Sequence, residues 1–129
     1  MIIAGLVLAG LAALLHVYIF YLESIAWTGA KARAIFGTGT REQAEAMREL
    51  AFNQGFYNLF LALVTIIGIV ATAIGSTTAG LTMVLVGTGS MVAAGLVLLI
   101  SSPAKASAAL KQLVLPALAV VAILVDVMV

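Results

Sequence analysis

From Leu50 to Ala104 the chain reads LAFNQGFYNLFLALVTIIGIVATAIGSTTAGLTMVLVGTGSMVAAGLVLLISSPA, and no side chain in it is charged. A helix needs about 20 apolar residues to cross a hydrocarbon core about 30 Å thick, so this stretch is long enough for two crossings. The run Gly75-Ser76-Thr77-Thr78-Ala79-Gly80 supplies a turn between them. Segments such as Leu59-Phe60-Leu61-Ala62-Leu63-Val64 do not alternate apolar with polar residues. Strands of a membrane barrel would alternate, so the crossings are helical.

Working outward, two further apolar stretches flank this core. The four spans expected are roughly residues 2–26, 50–74, 81–100 and 110–128, within one domain of residues 1–129. The whole composition agrees: 64% of residues are hydrophobic and 9% are charged, against about 45–50% and about 25% in soluble domains. Six basic and five acidic side chains cannot cover the surface of a soluble domain of this size. A soluble enzyme, a nucleic-acid binder and a disordered chain are thereby excluded. The fold class expected is an all-α integral membrane four-helix bundle with the lipid bilayer as its main partner. The chain has no cysteine, so disulfides, thiol catalysis and thiolate metal sites are excluded as well.

The stretch from Thr28 to Leu50 is the only sizeable polar segment. Gly29, Gly37 and Gly39 mark a loop, and Thr40-Arg41-Glu42-Gln43 has the capping-box pattern that starts a helix. No proline follows before Gly75, so the second helix is expected to run unbroken from Arg41 to Ile74. At 1.5 Å per residue it would be about 51 Å long and would project beyond the lipid. Arg41, Glu42, Glu45, Arg48 and Glu49 then read as a solvated helix face with pairs at three- and four-residue spacing. Ser101-Ser102-Pro103 reads as a helix cap followed by proline in the first turn. Pro116 should bend the fourth helix or mark its buried start.

Charge placement orients the bundle. Lys31, Arg33, Arg41 and Arg48 follow the first span, and Lys105 and Lys111 follow the third. The remaining connection and both termini carry no basic side chain. Because Lys and Arg stay on the cytoplasmic side, both termini should face outward. The first span lacks the basic flank of a signal peptide and is too long for one, so it reads as a retained span.

Ionisable and amide side chains inside a span are functional candidates by default. On the first span Gly5, Ala9, Ala13, His16, Phe20, Glu23 and Trp27 follow one another at three- or four-residue steps and so share one face. Small residues on that face admit a neighbouring helix. On the second span Asn53 with Tyr57, and Gln54 with Asn58, are i,i+4 neighbours. Depths agree: His16 lies about 10 Å deeper than Glu23, and Asn58 about 7 Å deeper than Asn53. The expected ligand-binding set is therefore His16, Glu23, Asn53, Gln54, Tyr57 and Asn58, converging as a cytoplasm-facing polar pocket between the first two spans. Each member also has a plain reading: Trp27, Tyr18 and Tyr21 as interfacial aromatics, His16 bonded to a backbone carbonyl, the amides joining helices. One histidine cannot make a histidine-rich metal site, and His16 and Glu23 are too far apart to share an ion, so no metal is expected. Gly37-Thr38-Gly39 has neither the preceding strand nor the lysine of a phosphate loop. No cofactor is implied. Asp126 should reach interfacial water, while Thr88 beside Gly87 and Gly89 reads as helix packing.

His16-Val17-Tyr18-Ile19, Tyr21-Leu22-Glu23, Trp27, Phe36-Gly37 and Ala51-Phe52-Asn53-Gln54-Gly55-Phe56-Tyr57-Asn58 resemble a bacterial family of small four-span inner-membrane proteins known as a domain of unknown function. Some of its members carry the label epimerase; this sequence has no nucleotide-sugar site for that activity. The resemblance implies the four-helix fold and a multi-pass location in the bacterial inner membrane. The chain is less similar to small multidrug resistance exporters, whose membrane glutamate lies within span one; here Glu23 is near that span's end. It is also somewhat similar to the membrane-associated eicosanoid and glutathione metabolism family. There Arg48 and Asn53 match an arginine and an asparagine, but Phe56 stands where a glutamate is expected.

The function expected is binding or transport of a small polar or amphipathic solute, with Glu23 as the charged contact or proton carrier and His16 its deeper partner. One rival is a glutathione-transferase-like membrane enzyme with Arg48 as an anion contact. Another is a structural partner subunit of a membrane complex. Four short spans leave little room for a lone channel, so a homo-oligomer is expected. The orientation is directly testable. A reporter fused at Val129 should be active only if it works outside the cytoplasm, and cytoplasmic activity there would overturn the assignment.

Overall fold

The computed structural model describes residues 1–129 as helices joined by short connections. Helix α1 (Ile2–Phe20) continues through one π-helical segment, Tyr21–Ile25. Two short helices come next, α2 (Ala30–Phe36) and α3 (Arg41–Ala46), and then α4 (Arg48–Ala73), α5 (Thr77–Ser101), a 3₁₀ turn at Pro103–Lys105 and α6 (Ala106–Met128). Four helical segments are long and apolar enough to cross a membrane: Ile2–Ile25, Arg48–Ala73, Thr77–Ser101 and Pro103–Met128. The chain is a multi-pass membrane protein. Its four long helices run up and down and close into a ring, α1 packing on α4, α4 on α5, α5 on α6 and α6 back on α1.

Small residues hold this ring together. Lipid is as apolar as leucine, so membrane helices associate through close van der Waals approach and not through burial from water. Gly5, Ala9, Ala12 and Ala13 lie on the buried face of α1, and Gly68, Gly80 and Gly87 line the α4–α5 seam. A methyl group added at Gly68 would lie 2.7 Å from the Gly80 carbonyl oxygen and 2.8 Å from the Val84 nitrogen. One added at Gly5 would lie 2.6 Å from Ile123 of α6. The hydroxyls of the spans turn back on their own helices: Thr65 donates to the Leu61 carbonyl, Thr72 to Gly68, Thr82 to Thr78 and Thr88 to Val84. Thr88 thus serves packing, as its glycine neighbours suggest.

The structure departs from the sequence-based expectation at four places. First, the second helix is not continuous from Arg41. Thr40 caps α3 as expected, its hydroxyl accepting from the Gln43 N–H while the Gln43 side chain accepts from the Thr40 N–H. The helix then breaks at Met47. The cause is Trp27: its indole N–H donates to the Ala44 carbonyl at 2.8 Å. That carbonyl also accepts from the Met47 N–H at 3.1 Å and so does not take the α-helical bond from Arg48. Second, the turn after α4 is only Ile74 to Ser76, with Gly75 at φ +96°. Third, Ser102 makes no side-chain cap, although Pro103 does open the turn that follows it; Pro116 lies buried inside α6. Fourth, Asp126 does more than reach water. It accepts the Ile2 N–H at 3.0 Å and lies 2.7 Å from the amino group of Met1, so α6 caps α1.

Trp27, Phe36, Ala44 and Ala51 make a small apolar cluster that folds the 28–47 connection onto the bundle. Arg33 ties the loop from within, donating to the carbonyls of Thr28 and Gly39. All six basic residues lie at this end.

Glycine substitutions separate close approach from helix propensity. Gly89 has nothing within 4 Å of an added methyl, so Gly89→Ala should raise stability by about 0.5–1 kcal/mol. Gly68→Ala meets α5 atoms on three sides and should lower it by about 1–3 kcal/mol. Unfolding in mixed detergent micelles measures both; equal effects at the two positions would contradict the packing described.

Candidate functional site

The site is built where α1 meets α4 near the cation-bearing end. Gly55 permits the contact, since a methyl there would run into the Ser24 hydroxyl and come within 3.1 Å of Glu23 Cβ. Across this contact Asn58 Nδ2–H donates to Glu23 Oε2 at 2.9 Å. The same amide nitrogen donates to the Gln54 carbonyl of its own helix at 3.1 Å. One residue on, the Ser24 hydroxyl donates to the Phe52 carbonyl at 2.9 Å. Glu23 and Asn58 are each 8% exposed. The second Glu23 oxygen has no partner in the chain and is not sealed from the surface, because the only buried side-chain oxygen or nitrogen without a partner is Thr38 Oγ1.

The backbone explains how Glu23 reaches Asn58. From Tyr21 to Ile25 the helix widens by one residue, and the Ala26 N–H bonds to the Tyr21 carbonyl five residues back. Such π-segments are rare and recur at functional sites. This one carries Leu22 and Glu23 inward. Nothing in the local composition of Tyr21-Leu22-Glu23-Ser24-Ile25 signals it.

The six candidates do not all converge. Glu23 and Asn58 meet directly. Gln54 takes part through its backbone carbonyl, while its side chain is exposed. His16 is buried on the same face of α1, with Nδ1 2.9 Å from the Ala12 carbonyl oxygen. A carbonyl only accepts, so Nδ1 carries the proton and Nε2 is the ring's remaining polar atom. Asn53 is exposed and Tyr57 is 66% exposed; neither is bonded to Glu23. The reason is azimuth. Asn53 shares the right depth, but five residues turn the helix by about 500°, which leaves its side chain about 140° from that of Asn58. Arg48 stands outside the cluster, exposed and paired with Glu45 at 3.1 Å. Ser24 and Gly55 are the members that the polar-residue pattern did not pick out; a serine near a span's end and a glycine within an apolar helix carry no signal by themselves.

Outside the spans, electrostatics are local. Lys31 sits 5.4 Å from the centre of the Tyr18 ring, and the Tyr18 hydroxyl raises its pKa above the usual lysine value. Glu42 is held below the usual carboxylate range by its own backbone N–H and then by the Thr40 hydroxyl. Two open hollows flank the connection, one around Gly37–Gly39 and Met47, the other around Arg41–Arg48. Neither includes Glu23 or Asn58. No group of three or more metal-binding side chains occurs.

A protein family described as "Protein of unknown function (DUF1304)" matches residues 10–124. The chain belongs to that family. The DUF1304 match takes in all of the residues just placed, from His16 through Asn58, and nearly the whole bundle. No curated protein and no solved structure matches the chain.

Contact between Glu23 and Asn58 makes their substitutions interdependent. In a double-mutant cycle of Glu23→Gln and Asn58→Ala, the coupling should be roughly 0.5–3 kcal/mol. Glu23→Gln with Tyr57→Phe should add within about 0.5 kcal/mol. Detergent unfolding reads both cycles; additivity in the first would remove the pair from the site.

Proposed function

We propose that this multi-pass protein binds a small polar or amphipathic solute at Glu23, entering from the cation-bearing, cytoplasmic end. The observation that supports it most is the state of the Glu23 carboxyl. It is buried inside a span, one oxygen is held by Asn58, and the other is left unclaimed yet unsealed. A carboxyl at membrane depth is costly and is kept where it has a use. Here Asn58 and the π-segment fix its position, so its free oxygen is presented in one orientation to a donor or cationic group. His16, two turns deeper on the same face, offers Nε2 as a second polar contact. Transport of the solute would follow from the same two residues acting in sequence. Arg48, the anion contact of a transferase, is exposed and stands apart from the Glu23–Asn58 pair, donating to Glu45.

Native mass spectrometry of the protein extracted in mild detergent tests the reading. A copurifying small-molecule adduct is expected on the wild type and on Arg48→Ala, and should be lost from Glu23→Gln and Asn58→Ala. Identical adducts on all four proteins would count against a site at Glu23.

A further inference from the structure

We propose that the 28–47 connection is a gate over Glu23, latched by Trp27, which opens when α3 and α4 join into one continuous helix. The proposal rests on the reading of Glu23 as a solute site and adds how a solute is admitted to it. On the buried face of α4, Ala51 precedes Gly55 by one turn and Asn58 by two. On the other side of that seam Trp27 follows Glu23 by four residues. Trp27, Ala44 and Ala51 pack together, so they close the cation-bearing end of the α1–α4 seam directly beyond the carboxyl.

The latch is a contest for one acceptor. The Ala44 carbonyl takes the Trp27 indole N–H at 2.8 Å, and the α-helical bond from Arg48 is not made. Met47 is left outside helical geometry, at φ −104° and ψ 4°. No local signal asks for this break. Arg41-Glu42-Gln43-Ala44-Glu45-Ala46-Met47-Arg48-Glu49-Leu50-Ala51 has no glycine, proline or β-branched residue, and such a run prefers unbroken helix. Opening exchanges the indole bond for a backbone bond at the same oxygen, and the released indole N–H turns to interfacial water, where tryptophan is at home. The closed arrangement bears a cost besides. Thr38 Oγ1 is buried with no partner, in a hollow that Thr38 shares with Ala46 and Met47 at the break.

The connection is braced internally and fastened lightly. Arg33 donates to the carbonyls of Thr28 and Gly39, both within the connection, so it stiffens the unit without tying it to the bundle. Neither α2 nor α3 packs extensively on α1, α5 or α6. Besides the Trp27 cluster, Lys31 reaches the Tyr18 ring of α1 at 5.4 Å, but both side chains are exposed and such a contact is weak. Two discrete arrangements of one packed element, separated by a single bond, are what a gate requires.

Two measurements on the full chain in lipid nanodiscs test the gate. The chain has no cysteine, so spin labels on Ile35→Cys and Ile100→Cys, both exposed, report the connection against the bundle. Labels on Ile3→Cys and Ile74→Cys, also exposed, report the opposite end. Trp27→Phe keeps an aromatic ring and removes the donor. Two distances between 35 and 100 are expected, and Trp27→Phe should raise the ratio of open to closed about two- to tenfold, the worth of one net hydrogen bond. Adding Met47→Gly disfavours the continuous helix and should lower that ratio about fivefold. Modification of Glu23 by a water-soluble carbodiimide, read from peptide masses, should quicken in Trp27→Phe by the same factor as the ratio, with exposed Glu49 unchanged. An unchanged ratio, no reversal by Met47→Gly, or movement without faster modification of Glu23 would each overturn the gate. If Trp27→Phe alters the 3–74 distance, Met47→Gly alone decides: it should slow modification of Glu23 about fivefold, and an unchanged rate would overturn the gate. Ratio and rate as expected, with small-molecule adducts indifferent to Glu23→Gln, would overturn the solute site and leave the gate standing.

Discussion

Inside a bilayer the hydrophobic effect does not press helices together, and everything in this bundle depends on how closely a neighbouring helix can approach the bare backbone of a glycine. Gly68 against Gly80 and Val84, Gly87 against Thr65, and Gly5 against Ile123 are the places where that approach is made. They fix the neighbours of each helix and so fix which polar side chains can meet. The same solvent requires every buried donor to find an acceptor. The threonines satisfy this within their own helices, at residue i−4, and so leave the seams free for packing.

Where the chain leaves this regime, at the cation-bearing end, the controlling bonds change. Trp27 takes the Ala44 carbonyl, which divides the expected long helix into α3 and α4 and draws the connection onto the bundle. Just before Trp27 the helix widens, and Glu23 turns toward Asn58. Two ties, Glu23–Asn58 and Ser24–Phe52, therefore hold the π-segment against α4, and the aromatic cluster holds the 28–47 connection. The carboxyl thus sits between a rigid bundle and a folded cap.

Of the candidate site, Glu23, Asn58 and His16 were legible because each is a polar side chain on a face otherwise made of small or apolar residues. The difference among the amides was not. Asn53, Gln54 and Asn58 are equally polar and within two turns of one another, yet Asn58 faces α1 while Asn53 and the Gln54 side chain are exposed. Nothing in the residues themselves tells which side of α4 is covered. The π-segment escaped for a related reason: Tyr21–Ile25 has ordinary helix-forming residues, and the extra residue is held by bonds made to another helix.

The sequence by itself determined how the chain lies along the membrane normal. Apolar length sets the number of spans, the cations mark one end, Thr40 with Gln43 starts a helix, and a fixed rise per residue converts position into depth. These are properties of one segment at a time, and local composition is enough to specify them. The tertiary structure alone decided direction around each helix axis: that Asn58 and not Asn53 meets Glu23, that Trp27 breaks a helix seventeen residues away, and that Asp126 caps the start of α1. Azimuth is set by which neighbour a helix packs against, and that choice is made by contacts between residues far apart in the chain.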